Sequence, residues 1–155
     1  MGRIGIVISG GQTGVDRAAL DAAMELGLPA GGWCPKGRLA EDGVIPARYP
    51  LRETDSEDYD LRTRWNIRDS HGTLILCRGE PVGGTLFTAE LAKTLERPAV
   101  ILNPENEREA DRFAAWFSTL PREPVLNVAG PRESTEPGIG AASRAFLKRI
   151  LSHHV

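Results

Sequence analysis

The sequence predicts a three-layer α/β/α sandwich built on a mainly parallel, Rossmann-like sheet. Short runs rich in Ile, Val and Leu alternate with amphipathic segments, the pattern of a parallel sheet with helices on both faces. The alternation is regular, with five strand-like runs and about five helical ones, and two of its strand-to-helix junctions are rich in glycine. At 155 residues the chain has the size of one compact domain, and a single domain over residues 1–155 is the expectation.

The first strand is expected over Arg3–Ser9 and its helix over about Gly14–Leu26. There Val15, Ala18, Ala19, Ala22 and Leu26 form an apolar stripe, and Gly27 stands at the C′ position that ends it. Thr13 followed by Asp16 reads as a capping box, the hydroxyl accepting from the third amide of the helix. A short second strand covers Pro29–Trp33. The segment from Cys34 to Leu51 carries prolines, glycines and mixed charge, so it is expected as an ordered loop or arm outside the sheet. A helix follows over Asp58–Ser70, with Leu61, Trp65 and Ile67 inward. Gly72–Cys77 is the clearest central strand, and its loop leads to a helix over Thr85–Leu95. A strand over Pro98–Leu102, a helix over Glu105–Thr119, a strand over Pro124–Val128 and a closing helix over Gly138–Leu151 complete the pattern.

The formal charge is −2, from 19 basic and 21 acidic side chains spread along the chain. No global field attracts nucleic acid or an anionic membrane, so any anion site has to be local. No stretch reaches the roughly 18 apolar residues of a membrane span, and the run Ile4–Ile8 is too short for a signal peptide; a cytoplasmic protein is expected. Cys34 and Cys77 lack the spacing of a zinc site and are read as buried small side chains. His153 and His154 are expected at a frayed tail.

In an open parallel sheet, ligands bind beyond the carboxyl ends of the strands. Four loops there carry unusual residues. In SGGQTG, amides around Gly10, Gly11 and Gly14 could converge on an anion at the start of the first helix, with Gln12 and Thr13 donating beside them. A tight strand-to-helix turn would use the same glycines. The spacing fits neither the dinucleotide fingerprint nor the lysine-bearing loop of nucleoside triphosphatases, and the chain reads Ala30-Gly31-Gly32-Trp33-Cys34 where a ribose-binding acid would stand, which argues against NAD. Asp16 either caps the helix or touches a ligand. Arg17 either serves a ligand or pairs with Asp21 at i,i+4.

Beyond the second strand, Lys36 and Arg38 flank Gly37, a pair of cations suited to a phosphate, with Glu41 and Asp42 near them. The second glycine-rich junction is Gly83-Gly84-Thr85, followed by Thr88 and Glu90. In the last loop Arg132 is an anion clamp or a surface residue. Arg62, Thr63 and Asn66 complete the set on one helix, where a mid-helix Asn calls for a hydrogen-bonding reason.

The segments SGGQTGVDRAALDAA, GWCPKGRLAEDG, IPARYPLRET, RTRWNIRDSHGTLIL, GGTLFTAELA and LNVAGPRES with PGIG, in this order from Ile4 to about Leu147, resemble the molybdenum carrier protein family. That family is similar in fold to lysine-decarboxylase-like and DprA-like proteins that bind nucleotides or related phosphates. The resemblance implies binding of the molybdenum cofactor, a pterin dithiolene with a terminal phosphate, for storage or delivery to molybdenum enzymes. It also implies a homo-oligomer, a dimer or tetramer. Among the candidates, Gly10, Gly11, Gln12, Thr13, Gly14, Asp16, Arg17, Lys36, Gly37, Arg38, Asn66, Gly83, Gly84, Thr85, Thr88 and Arg132 would form the binding site.

Two alternatives stand beside this. Cytokinin-activating phosphoribohydrolases carry a PGGxGTxxE motif that the stretch from Pro81 to Glu90 is similar to. Here Thr88 occupies the position of the catalytic Glu and Glu90 comes five residues after Thr85 instead of three, a departure that favours binding without hydrolysis. A nucleotide-sensing or DNA-interaction module would require a basic stripe that the balanced charge does not provide.

Overall fold

The computed structural model describes residues 2–155. In chain order the elements are β1 (Ile6–Ile8), α1 (Val15–Glu25), β2 (Ala30–Gly31), β3 (Trp33–Cys34), β4 (Leu39–Ala40), β5 (Gly43–Val44), β6 (Arg52–Glu53) and α2 (Tyr59–Arg68). They continue with β7 (Gly72–Leu76), α3 (Gly83–Thr94), β8 (Ala99–Leu102), α4 (Glu109–Phe117), β9 (Val125–Ala129), α5 (Ile139–Leu151) and a 3-10 turn over Ser152–His154.

The central sheet has five strands in the order β2-β1-β9-β7-β8, every pair parallel. This is the Rossmann-like α/β/α architecture expected from the alternation. The chain leaves β1 toward β2 and leaves β7 toward β8, in opposite directions, so the order reverses around β9. A crevice forms beyond the carboxyl ends of strands at such a reversal. One core joins α1, α4 and α5 to the sheet, with Ala19, Ala22, Phe113, Phe117, Phe146 and Leu147 packed on Val7, Leu74, Leu126 and Val128. Between α2 and α3, Ile67 meets Leu91 and Ala92. No helix among the described residues is long and apolar enough to cross a membrane.

The second strand is shorter than expected, because Gly32 (φ +124°) turns the chain out of the sheet against the backbone of Ser9. Trp33–Cys34 then pairs with Arg52–Glu53, and β4 pairs antiparallel with β5. The arm thus lies outside the central sheet but carries two small ladders of its own. Leu20 of α1 and the arm residues Cys34, Ile45, Tyr49 and Leu51 bury a second apolar cluster that anchors it. Both cysteines are free and buried. Burial, with Glu136 and Glu80 nearby, pushes the Cys77 thiol up to about 11.

Three local expectations are corrected. Thr13 caps nothing: the N-cap of α1 is Gly14, with no side-chain capping bond, and the Thr13 hydroxyl instead donates to Glu41 and accepts from the Glu133 amide at 3.1 Å. Helix α4 begins at Glu109 rather than Glu105, because Asn103 and Asn106 side chains accept from amides in the intervening turn. His154 is not frayed but 4% exposed, its ring 4.2 Å from that of Phe117 and its carbonyl accepting from the Ile4 amide at 2.8 Å.

Candidate functional site

Beyond the end of β9, a cavity of about 240 Å³ opens between the start of α1, one face of α2, the start of α3 and the loop after β9. Each wall contributes by a different local device.

Helix α2 begins at Asp58, whose side chain accepts from the Asp60 amide, and it sends Tyr59, Arg62 and Thr63 to the cavity from successive turns of one face. The Arg62 guanidinium donates to Thr63 Oγ1 at 2.7 Å, and that hydroxyl donates to the Tyr59 carbonyl at 3.0 Å. The guanidinium carbons of Arg62 and Arg132 each lie 5.3 Å from the Tyr59 ring centroid, within cation–π range. Arg62 Nε is buried without a hydrogen-bond partner.

From α1 come Gln12, on the preceding loop, and Asp16. Gln12 is 5% exposed. Its Oε1 accepts from the Thr13 amide at 3.1 Å and from the Glu41 amide at 2.8 Å. Two backbone donors fix which end of the amide is oxygen, so Nε2 is left as a buried donor with no partner in a residue that lines the cavity. Asp16 Oδ2 accepts from the Gln12 amide at 3.3 Å and faces Arg62 Nη2 at 3.9 Å. Burial raises the Asp16 pKa above the usual carboxylate range, and Arg62, the Gln12 amide, Arg17 and Arg132 pull it back in part.

The two glycine junctions differ in kind. At the first, the amides of Gln12, Thr13, Val15 and Arg17 are all engaged within the protein. A side chain at Gly10 would meet Arg62 Nε at 2.6 Å, and one at Gly11 would meet Leu51 at 2.5 Å. These glycines permit close approach of neighbouring segments, the turn-making alternative stated above. At the second junction a Cβ on Gly83 or Gly84 would meet nothing within 4 Å. The N–H groups of Gly83 and Gly84 precede the first intrahelical bond of α3, and both residues line the cavity. The Thr88 hydroxyl donates back to the Gly84 carbonyl at 2.9 Å.

Of the sequence candidates, the fold brings Gln12, Asp16, Arg62, Thr63, Gly83, Gly84, Thr85, Thr88 and Arg132 to the cavity. Gly10, Gly11, Thr13, Gly14, Arg17, Lys36, Gly37, Arg38 and Asn66 do not line it. Arg17 does not pair with Asp21: it forms a two-pronged bridge to Asp42 at 2.6 and 3.0 Å, which raises its own pKa and lowers that of Asp42. Lys36 is exposed, and the Gly37 amide donates to Glu53 at 2.6 Å. Asn66 clamps Trp33 through both its amide and its carbonyl, at 2.8 and 3.0 Å.

Arg38 is spent on the arm, donating to the carbonyls of Ile45, Pro46, Tyr49 and Leu51 at 2.7 to 3.3 Å. Lysine offers no planar fork. Arg38→Lys is expected to lower unfolding stability by about 2 kcal/mol and to open residues 34–57 to proteolysis first; an unchanged cleavage pattern would refute this. Tyr59 escaped the sequence reading, although the i,i+3 and i,i+4 spacing to Arg62 and Thr63 marks it.

A five-stranded parallel sheet flanked by helices, with a cavity at its carboxyl edge, defines a Rossmann-like α/β/α protein. The model of the circularly permutated YpsA SLOG family matches residues 7–151, and the chain belongs to that family. It is also similar to a crystal structure from Syntrophus aciditrophicus SB described as a "Putative molybdenum carrier protein", with a TM-score of 0.90 and 40% identity over 97% of this chain and 96% of that one. Among curated proteins no match was found.

Proposed function

We propose that this protein binds a phosphorylated small ligand in the cavity between α2 and α3, and that the ligand is the molybdenum cofactor, held as cargo for storage or delivery to molybdenum enzymes. The observation that carries the reading is that two residues lining the cavity at the start of α3, Gln12 and Arg62, each hold a buried donor without a partner, Nε2 and Nε. An orphaned buried donor costs about 1–3 kcal/mol, so two at one cavity point to an acceptor brought by a ligand. Arg62, Arg132 and the positive end of α3 suit a phosphate. The molybdenum part of the reading is supported by the kinship with the Syntrophus protein and its name.

The donor set fits the phosphate end of the cofactor. Among the described residues no three His, Cys, Asp or Glu side chains group as a metal-binding set, so in this reading the metal stays with the dithiolene. At about 240 Å³ the cavity lies below the roughly 300–1,000 Å³ of pockets that enclose a whole small molecule. Part of the ligand would therefore lie outside it, near exposed Val82 and Asp60. The phosphoribohydrolase alternative finds no carboxylate at the position of Thr88, whose hydroxyl is bound to Gly84.

The test is Gly84→Asp. Position 84 has open space and no positive φ, and a carboxylate in a first helical turn is neutral to stabilising. The variant is expected to keep its unfolding midpoint while losing affinity for a phosphorylated pterin or nucleotide by about 30-fold, through repulsion at short range in a partly desolvated site. Unchanged affinity would remove the phosphate from this cavity. Protein purified from molybdate-fed cells should carry molybdenum and pterin in equal amounts; if it carries neither and binds neither in calorimetry, the carrier reading fails.

A further inference from the structure

A cavity meant only for an oxyanion has no use for a carboxylate in its wall. Yet Asp16 stands there, buried, beside Gln12 and Arg62. Its Oδ2 is occupied by the Gln12 amide and by the neighbourhood of Arg62 Nη2. Among the described residues no hydrogen bond reaches Oδ1, that atom is not among the buried, unpartnered ones, and Asp16 lines the cavity. The cavity lining therefore combines an unbonded acceptor, Asp16 Oδ1, with a buried donor that lacks a partner, Gln12 Nε2, from residues four apart on one loop-to-helix junction. The arm holds that donor in place: with the Gln12 oxygen bound by the Thr13 and Glu41 amides, the side-chain amide is not free to flip and offer an acceptor instead.

We propose that this corner reads the 2-amino-4-oxopyrimidine edge shared by pterins and guanine, so that the cavity selects the ring as well as the phosphate of its ligand; the inference rests on the phosphorylated-ligand reading above. That edge carries two adjacent N–H donors next to a carbonyl oxygen. Asp16 Oδ1, with two lone pairs, can accept from the donors while Oδ2 keeps the Gln12 amide, and the Gln12 primary amide donates to the carbonyl. Adenine fails on this wall, because it places a ring-nitrogen lone pair where a donor is needed. Hypoxanthine keeps the ring N–H and carbonyl but lacks the exocyclic amine. Charge is consistent: Arg132 from the loop after β9 and Arg62 from α2 both face Asp16, while Arg17 on its own helix is tied to Asp42. The carboxylate is thus held by one cation, with the other and the α3 start left for the phosphate.

Calorimetric titration of the full chain with 5′-GMP, 5′-IMP, 5′-AMP and inorganic phosphate tests it. Hydrogen bonds to a charged group are worth enough that 5′-GMP should bind about 10-fold more tightly than 5′-IMP, and 5′-AMP should bind more weakly than either. In Asp16→Asn, checked for folding by circular dichroism, the GMP-to-IMP ratio should collapse to within about twofold. If that variant does not fold, the three affinities of the unaltered protein still decide. Equal affinities for the three nucleotides would overturn the ring selection while leaving the phosphate reading standing. A GMP preference that survives Asp16→Asn would overturn the assignment to Asp16. No binding of any of the four, inorganic phosphate included, would overturn the phosphate reading and this inference together.

Discussion

Arg62→Met is expected to cost about 3 kcal/mol of stability at pH 7, with the deficit shrinking toward pH 4, and to abolish binding of phosphorylated ligands. Arg62 is the cation nearest Asp16, at 3.9 Å, and the two side chains are only 13% and 5% exposed. Removing one member of a buried pair leaves a charge that the protein neither hydrates nor balances. Methionine keeps the apolar stem that packs over Gly10, so the change isolates the charge.

The pH dependence follows from the direction of the Asp16 shift. Its pKa in the folded state already lies above that of an ordinary aspartate, with burial the main cause and Arg62 the first of the groups opposing it; without Arg62 it rises further. Between the unfolded and folded values the folded protein binds more protons than the unfolded chain. Stability therefore falls as pH rises through that window, and the whole penalty is present above it. Denaturant titrations of both proteins at pH 7 and pH 4.5 check the expectation. Equal deficits at the two pH values would mean that Arg62 acts through packing and not through Asp16. Asp16→Asn added to Arg62→Met should restore most of the loss at pH 7.

The largest structural effect is expected at Gly14. Its φ of +77° and ψ of −128° lie where residues with a Cβ are strained. A methyl group there would fall on the Pro131 carbonyl oxygen and 2.8 Å from the Glu133 nitrogen. Strain and backbone overlap together should cost Gly14→Ala more than about 4 kcal/mol, enough to leave the protein insoluble or without a cooperative unfolding transition. Gly83 also has a positive φ, of +53°, but open space around it, so Gly83→Ala should lose only about 1 kcal/mol. A cooperative transition near that of the parent protein in Gly14→Ala would show that the loop after β9 yields to the added methyl.

These two glycines show where reading the chain succeeds and where it stops. The layers, the parallel sheet and the placement of the arm outside it follow from local patterns: apolar runs of strand length, amphipathic spacing, prolines clustered between them. The contrast between the two glycine junctions does not. SGGQTG and VGGT look alike, and what separates them is the material opposite: Pro131, Arg62 and Leu51 crowd the first, nothing crowds the second. Those neighbours are brought by distant segments, and no local pattern encodes them.

The same holds for the cations. Arg38 looks like a phosphate ligand until its four carbonyl partners in the arm are in place. Arg62 and Asn66 share a helix face, yet the short Asn stops at the backbone of Trp33 while the long Arg crosses Gly10 to the cavity. Side-chain reach separates them, which a spacing rule does not express.

The contact of the Ile4 amide with the His154 carbonyl, and of the His154 ring with the Gly2 carbonyl at 2.6 Å, brings the two described ends together on the side of the sheet away from the cavity. A short bridge there would join them without disturbing a strand pairing, and the backbone could then be opened in an exposed loop elsewhere. Every motif would change its place along the string while the cavity kept its walls. Which glycine junction comes first is thus an accident of where the string is cut, and a relative threaded differently can present the same cavity in another linear order.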